Sequence, residues 1–322
     1  MSPHPSLRLR RSFKPRFEVL EDRTVPACQV FVSGSTLFIL GDATAHTIFI
    51  NDNGGNGTTS SPAGTTGAGA FTAAPTQISV TCDGMTQTFQ NPTSGSPINI
   101  TNVIINTGTG ASRTKNDVVF YLFSQGLQGG AQRTITTTLG GRFGTFQMLF
   151  GTTTTTTGGS TTVTGGIQQS ANLSVTVNGA NRAGSYREAV DAINDFGIGA
   201  QSSAFFNLQG GQGDDTVAVN LSGFLDKTAG LTVVANGNAG DDRVFENLNV
   251  AGGRTIAVVN GGAGNDALGL FAVFDNSTQA EIPPQFQNPA NVTAVLNGSG
   301  GHDIGYLTPN VQISGLQQLV VI

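Results

Sequence analysis

The sequence predicts an all-β protein: an elongated β-solenoid of the parallel β-helix kind, carrying one short helix. Three observations predict it. Glycine supplies 45 of the 322 residues, about twice ordinary usage, while charged residues make up 11% and tryptophan is absent. Strand signals with an apolar residue at every second position recur along the chain, as in "TVAVNL", "LTVVAN" and "TIAVVN". Between such signals stands a glycine–aspartate turn that returns four times, as "GGQGDDTVA" from Gly210, "GNAGDDRVF" from Gly237, "GGAGNDALG" from Gly261 and "GSGGHDIGY" from Gly298.

Residues 1–27 read as an export or sorting segment. Residues 1–23 hold six basic and three acidic residues, whereas the remainder holds nine basic and seventeen acidic. "RRSF" at Arg10–Phe13 is similar to a twin-arginine signal and "VPAC" at Val25–Cys28 to a lipoprotein cleavage box, but neither comes with the apolar run those signals carry. The acidic body argues against nucleic acid as a partner and suits cations. No stretch approaches about eighteen consecutive apolar residues, so no transmembrane helix is expected. Cys28 and Cys82 lack metal-ligand spacing; a disulfide between them and two separate buried thiols both fit the sequence.

Residues 28–150 read as degenerate copies of the repeat. "LFILGDATAHTIFIND" puts His46 where the turn aspartate belongs, "VIINTGTGASRTKNDVVFYL" puts Asp117 there, and "TTTLGGRFGTFQMLF" puts Gly144 there. Two low-complexity stretches, 53–75 and 151–166, read as loops.

Residues 151–200 combine such a loop with a helix at "SYREAVDAINDFG". Ser185 and Glu188 have capping-box spacing, Ala189, Val190, Ile193 and Phe196 share a helical face, and Gly197 is a stop.

Residues 201–322 form the glycine–aspartate region. The last aspartates of the four turns, Asp215, Asp242, Asp266 and Asp303, are spaced 27, 24 and 37 residues apart. A unit of that size suits one coil of a solenoid, which buries its apolar face only against neighbouring coils. A sandwich of β-hairpins with six-residue turns is the alternative.

Stacked coils bring equivalent turns about 4.8 Å apart. At an effective dielectric of about 20, neighbouring carboxylates at that distance repel by roughly 3.5 kcal/mol. A cation between them removes the conflict. Calcium fits, being a hard ion that takes several oxygens in irregular geometry, and no cluster of His or Cys favours a softer metal.

The turns resemble the G-G-x-G-x-D-x-U-x nonapeptide of hemolysin-type, repeats-in-toxin calcium-binding proteins. The copies from Gly210 and Gly261 match every fixed position. The copy from Gly237 lacks one glycine, and that from Gly298 lacks one glycine and the apolar residue. The resemblance implies calcium ligands at Asp215, Asp242, Asp266 and Asp303, with carbonyls from Gly210, Gly237 and Gly261. Asp214, Asp241 and Asn265 occupy the neighbouring turn position. Those toxins repeat every nine residues in tandem, whereas here single nonapeptides lie far apart, so shared sites depend on coil stacking. "FKPRFEVLEDRTVPA" resembles a segment at the N-terminus of large exported or surface proteins of planctomycete bacteria. The strand–glycine turn–strand pattern after it is similar to calcium-binding repeat proteins that follow that leader.

No G-x-S-x-G elbow, H-E-x-x-H pair or phosphate loop is present, and the paired aspartates look alike rather than tuned apart for acid and base roles. The expectation is therefore a non-enzymatic, calcium-binding repeat protein, exported, with a structural or adhesive role at the cell surface or matrix. A glycan-acting or glycan-binding β-helical protein is the alternative. His46 and His302 are expected to be solvated turn residues.

Overall fold

Period-two alternation of apolar residues becomes strand after strand in the computed structural model, which describes residues 28–55, 76–90, 99–108, 116–141, 143–157, 160–179, 185–192, 197–272, 291–307, 312–314 and 318–321. The expected export segment 1–27 and most of the expected loop 53–75 lie outside the described residues. The protein is all-β, with no helix among the described residues.

A hairpin of β1 (Cys28–Ser33) and β2 (Thr36–Gly41) opens the fold, and the chain then crosses to β3 (Thr47–Asp52). β4 (Gln77–Cys82) pairs antiparallel with β3, and β5 (Met85–Gln90) with β4. Asp83 and Gly84 join β4 to β5 with φ of 49° and 84°, as a two-residue type I′ hairpin requires. From here strands come in pairs: β6 (Asn102–Asn106) and β7 (Asn116–Phe123), then β8 (Gln132–Thr138) and β9 (Phe143–Phe150). A separate antiparallel hairpin, β10 (Thr152–Thr157) and β11 (Ser160–Gly165), interrupts them. The pairs resume with β12 (Asn172–Asn178) and β13 (Ser185–Ala192), β14 (Ser203–Gln212) and β15 (Thr216–Phe224), β16 (Gly230–Ala239) and β17 (Arg243–Ala251). They end with β18 (Arg254–Ala263) and β19 (Ala267–Ala272), β20 (Asn291–Gly300) and β21 (Ile304–Leu307), β22 (Gln312–Ser314) and β23 (Gln318–Val321).

The first strand of each pair joins one sheet and the second joins the other. The ten-stranded sheet runs β1-β2-β6-β8-β12-β14-β16-β18-β20-β22, and the eleven-stranded sheet runs β23-β21-β19-β17-β15-β13-β9-β7-β3-β4-β5. Pairing is parallel from β2 and β3 onward and antiparallel in the N-terminal hairpins, so the sheets are mixed, and neither closes into a barrel. The strands flanking each glycine–aspartate turn lie in different sheets and do not form the hairpins that a simple hairpin sandwich would need.

Inward residues stack in register. Leu37, Val103, Ile135, Val175, Phe206 and Val233 form one buried column across the ten-stranded sheet. Each such side chain stabilises by about 1.5–3 kcal/mol. Phe123 stacks on Phe150, which meets Phe206 edge-on. Leu127, Ile167, Ile198 and Leu225 are buried and joined by parallel bridges at the end of the core opposite the glycine turns.

Two sequence expectations are corrected. Ser185–Ala192 is strand β13, not a helix: it pairs in parallel with β9 on one side and β15 on the other. Two ladders of backbone hydrogen bonds outweigh the capping-box signal of a short segment, because isolated helices of this length are marginal. Ile193 and Phe196 lie outside the described residues. The threonine-rich stretch expected as a loop forms the hairpin β10–β11, in keeping with the strand preference of β-branched residues. Cys28 and Cys82 form a disulfide, with Cα atoms 6.2 Å apart, that joins the two sheets at their N-terminal end.

Candidate functional site

Each glycine-rich turn carries the chain from the ten-stranded to the eleven-stranded sheet. Thr216, Arg243, Ala267 and Ile304 open successive strands in register, so the preceding residues Asp215, Asp242, Asp266 and Asp303 stand in one column. All four aspartates are buried. The column continues upstream in register through Tyr186, Gly144, Asp117 and His46. His46 is buried at 1% exposure, not solvated as expected. Its ring packs against Gly41, which a Cβ would block.

The inner aspartates hydrogen-bond between successive turns. Asp215 N–H donates to Asp242 Oδ1 (2.8 Å), Asp242 N–H to Asp266 Oδ1 (2.9 Å) and Asp266 N–H to Asp303 Oδ1 (3.0 Å). His46 N–H donates to Asp117 Oδ1 at 3.1 Å in the same sense. An outer, exposed column runs the opposite way: Asp241 N–H donates to Asp214 Oδ1 (2.9 Å), Asn265 N–H to Asp241 Oδ1 (2.8 Å) and His302 N–H to Asn265 Oδ1 (3.0 Å). His302 is exposed, as expected.

The glycines make room for these carboxylates. A Cβ on Gly237 or Gly261 would come within 2.2 Å of the Oδ2 of Asp242 or Asp266. Strand pairing skips the Gly210–Gly237 and Gly237–Gly261 positions while continuing on both sides. The copies that depart from the nonapeptide keep its backbone: Asn238 and Ser299 hold φ of 79° and 72° where Gly211 and Gly262 hold 118° and 111°.

The second carboxylate oxygen sets the chemistry. At Asp117, Oδ2 accepts the Thr107 hydroxyl at 2.6 Å. At Asp242 and Asp266, Oδ2 is buried and has no hydrogen-bond partner among the described residues. Burial, then neighbouring carboxylates, pushes Asp242 up to about 7 and Asp266 up to about 6, against the lowering effect of the N–H each accepts. Such an oxygen calls for a proton or a cation. Hard oxygen donors suit calcium. The four aspartates contribute one carboxylate per turn, so an ion there needs main-chain carbonyls to complete its shell. Among the described residues, the group of three or more His, Cys, Asp and Glu with donor atoms within 4.8 Å of one another is His46, Cys82 and Asp83, at the upstream end of the column.

No family model, no curated protein and no solved structure matches this chain.

Three further ionisable residues, Asp52, Arg133 and Glu246, are buried outside the turns. Asp52 and Arg133, 81 residues apart, form a buried two-point ion pair at 2.8 and 3.2 Å, and Tyr121 donates to Asp52 Oδ2 at 2.7 Å. Glu246 is fully buried in β17, in register with Val219 and Leu270, and neither of its carboxylate oxygens has a partner among the described residues. Burial holds it well above the ordinary carboxylate range. Alternation would have placed Glu246 inward from the phase of Val244 and Leu248, but nothing in the sequence reveals the partner of Asp52.

Proposed function

We propose that the chain is an exported, calcium-binding β-solenoid protein with a structural or adhesive role at the cell surface or in the surrounding matrix. The observation that carries this is the column of buried aspartates, in which the Oδ2 atoms of Asp242 and Asp266 have no partner among the described residues and lie against glycine. A divalent cation there offsets the burial and mutual repulsion of the carboxylates, drawing on the carbonyls of Gly210, Gly237 and Gly261. The outer positions Asp214, Asp241 and Asn265 line the rim of the same corners.

The solenoid assignment draws on the alternation of strands between two sheets, one strand added to each per coil. Such stacks grow by repetition and present long flat faces, which suits a rod or a binding surface. Export draws on the leader's resemblance and on the Cys28–Cys82 bond, a linkage that persists in oxidising compartments.

Calorimetric titration of the full chain with calcium at pH 7.5 tests the proposal. Saturable binding is expected, and its loss in Asp215→Ala/Asp242→Ala/Asp266→Ala. A flat titration of the wild-type chain overturns it.

A further inference from the structure

A second, chemically different group sits at the N-terminal end of the stack. Cys28 opens β1 in one sheet, Cys82 closes β4 in the other, and both are buried. Asp83, in the tight turn after Cys82, reaches back to the buried His46. Asp83 Oδ2 lies 2.8 Å from His46 Nδ1, and Asp83 Oδ1 accepts the Thr47 N–H at 2.9 Å. Cys82 Sγ lies 3.9 Å from the same Oδ2, and the donor atoms of His46, Cys82 and Asp83 all fall within 4.8 Å of one another.

We propose that reduction of the Cys28–Cys82 disulfide creates a zinc-class metal site from Cys28, Cys82, His46 and Asp83. Tetrahedral zinc at bonds of about 2.0–2.3 Å sets its ligand atoms about 3.3–3.8 Å apart. Asp83 Oδ2 stands 2.8 Å from His46 Nδ1 and 3.9 Å from Cys82 Sγ, near that spacing. Cys28 Sγ, bonded to Cys82 Sγ, has to swing toward the His46 and Asp83 donors as fourth ligand once the disulfide is cut. Two thiolates with an imidazole and a carboxylate select zinc over calcium or magnesium.

The histidine is set up for the exchange. Asp42 N–H donates to His46 Nε2 at 2.9 Å, so in the disulfide form the ring proton is on Nδ1, facing Asp83. Metal at Nδ1 moves that proton to Nε2, so the Asp42 N–H gives up that nitrogen and the ring N–H turns to Asp42 Oδ1, 3.3 Å away, which also accepts the Thr44 N–H and hydroxyl. The result is a carboxylate–histidine–metal relay in which Asp42 is a positioning residue.

The chemistry balances with a phosphine as reductant. The disulfide takes two electrons and yields two thiols, and the phosphine takes an oxygen from water to become its oxide. Zinc then displaces the two thiol protons, while the histidine proton changes nitrogen without leaving. The cross-link between the sheets is thus kept in a reducing compartment by metal and in an oxidising one by sulfur. This site shares no residue with the calcium corners, so either stands if the other fails.

The test uses the full chain, reduced with a water-soluble phosphine under nitrogen and titrated with cobalt(II), then zinc. One equivalent of cobalt is expected to give tetrahedral d–d bands with thiolate-to-cobalt charge transfer, both removed by zinc, and neither in the oxidised chain. His46→Ala and Asp83→Asn weaken binding at least tenfold with the far-ultraviolet β signal retained, and Asp42→Asn weakens it about tenfold. Absence of charge transfer in the reduced chain overturns the proposal, as does unchanged affinity in His46→Ala. So does a reduced chain that loses its β signal and does not regain it with zinc.

Discussion

Asp242 Oδ1 accepts the backbone N–H of Asp215, 27 residues earlier, at 2.8 Å, while its Oδ2 is buried against Gly237. One oxygen ties two successive turns together; the other is left to a proton or a cation. The same division holds at Asp266, whose Oδ1 accepts the Asp242 N–H.

The pH response of the metal-free protein follows. Asp242 and Asp266 are raised to about 7 and about 6 from an ordinary 3.8, and Glu246 is raised well above 4.5. The folded chain keeps protons that the unfolded chain releases, so this stabilisation is complete below about pH 4 and is lost as pH rises through 6 and 7. In chelator, the Tm is expected to fall between pH 5.0 and 7.5, and Asp242→Asn/Asp266→Asn to flatten that fall. A Tm that climbs across the interval contradicts it.

The corner glycines are steric requirements. Gly261→Ala drives a Cβ into Asp266 and is expected to cost about 1–3 kcal/mol. Gly230→Ala, where a Cβ meets nothing within 4 Å, is expected to be neutral or slightly stabilising. Denaturant midpoints of the two variants separate the cases.

Arg133→Met leaves the Asp52 carboxylate buried without its cation and is expected to cost about 3–5 kcal/mol. Adding Asp52→Asn should recover part of that loss in chemical denaturation. An Arg133→Met chain as stable as wild type removes the pair from the account of the core.

Glu246→Leu replaces two buried oxygens that have no partner among the described residues with a side chain like the Leu270 beside it. A gain of about 1–3 kcal/mol is expected, visible as a raised Tm. A loss of stability would mean that Glu246 is held by a group the described residues do not include.

The corners were legible because their chemistry is local. Glycine spacing and a fixed aspartate marked them, and the assignment of His46, Asp117 and Gly144 to the aspartate position agrees with the observed register. Tyr186 was hidden in the same column by the helical reading of Ser185–Ala192, whose identity as a strand is decided by neighbours distant in sequence. The opposite corner, with Leu127, Ile167, Ile198 and Leu225, recurs at unequal spacing and lacks a distinctive residue, so no motif announced it. The Asp52–Arg133 pair and the Cys28–Cys82 bond join residues 81 and 54 positions apart, and sequence spacing holds no record of such meetings.

The central claim is that a divalent cation relieves the buried aspartate column. The most direct measurement is the Tm of the full chain at pH 7.5 across a calcium series starting in chelator, beside Asp242→Asn/Asp266→Asn. If calcium binds only the folded corners, the Tm rises with calcium in the wild-type chain and stays level in the variant. Wild-type melting curves that superimpose with and without calcium would contradict it.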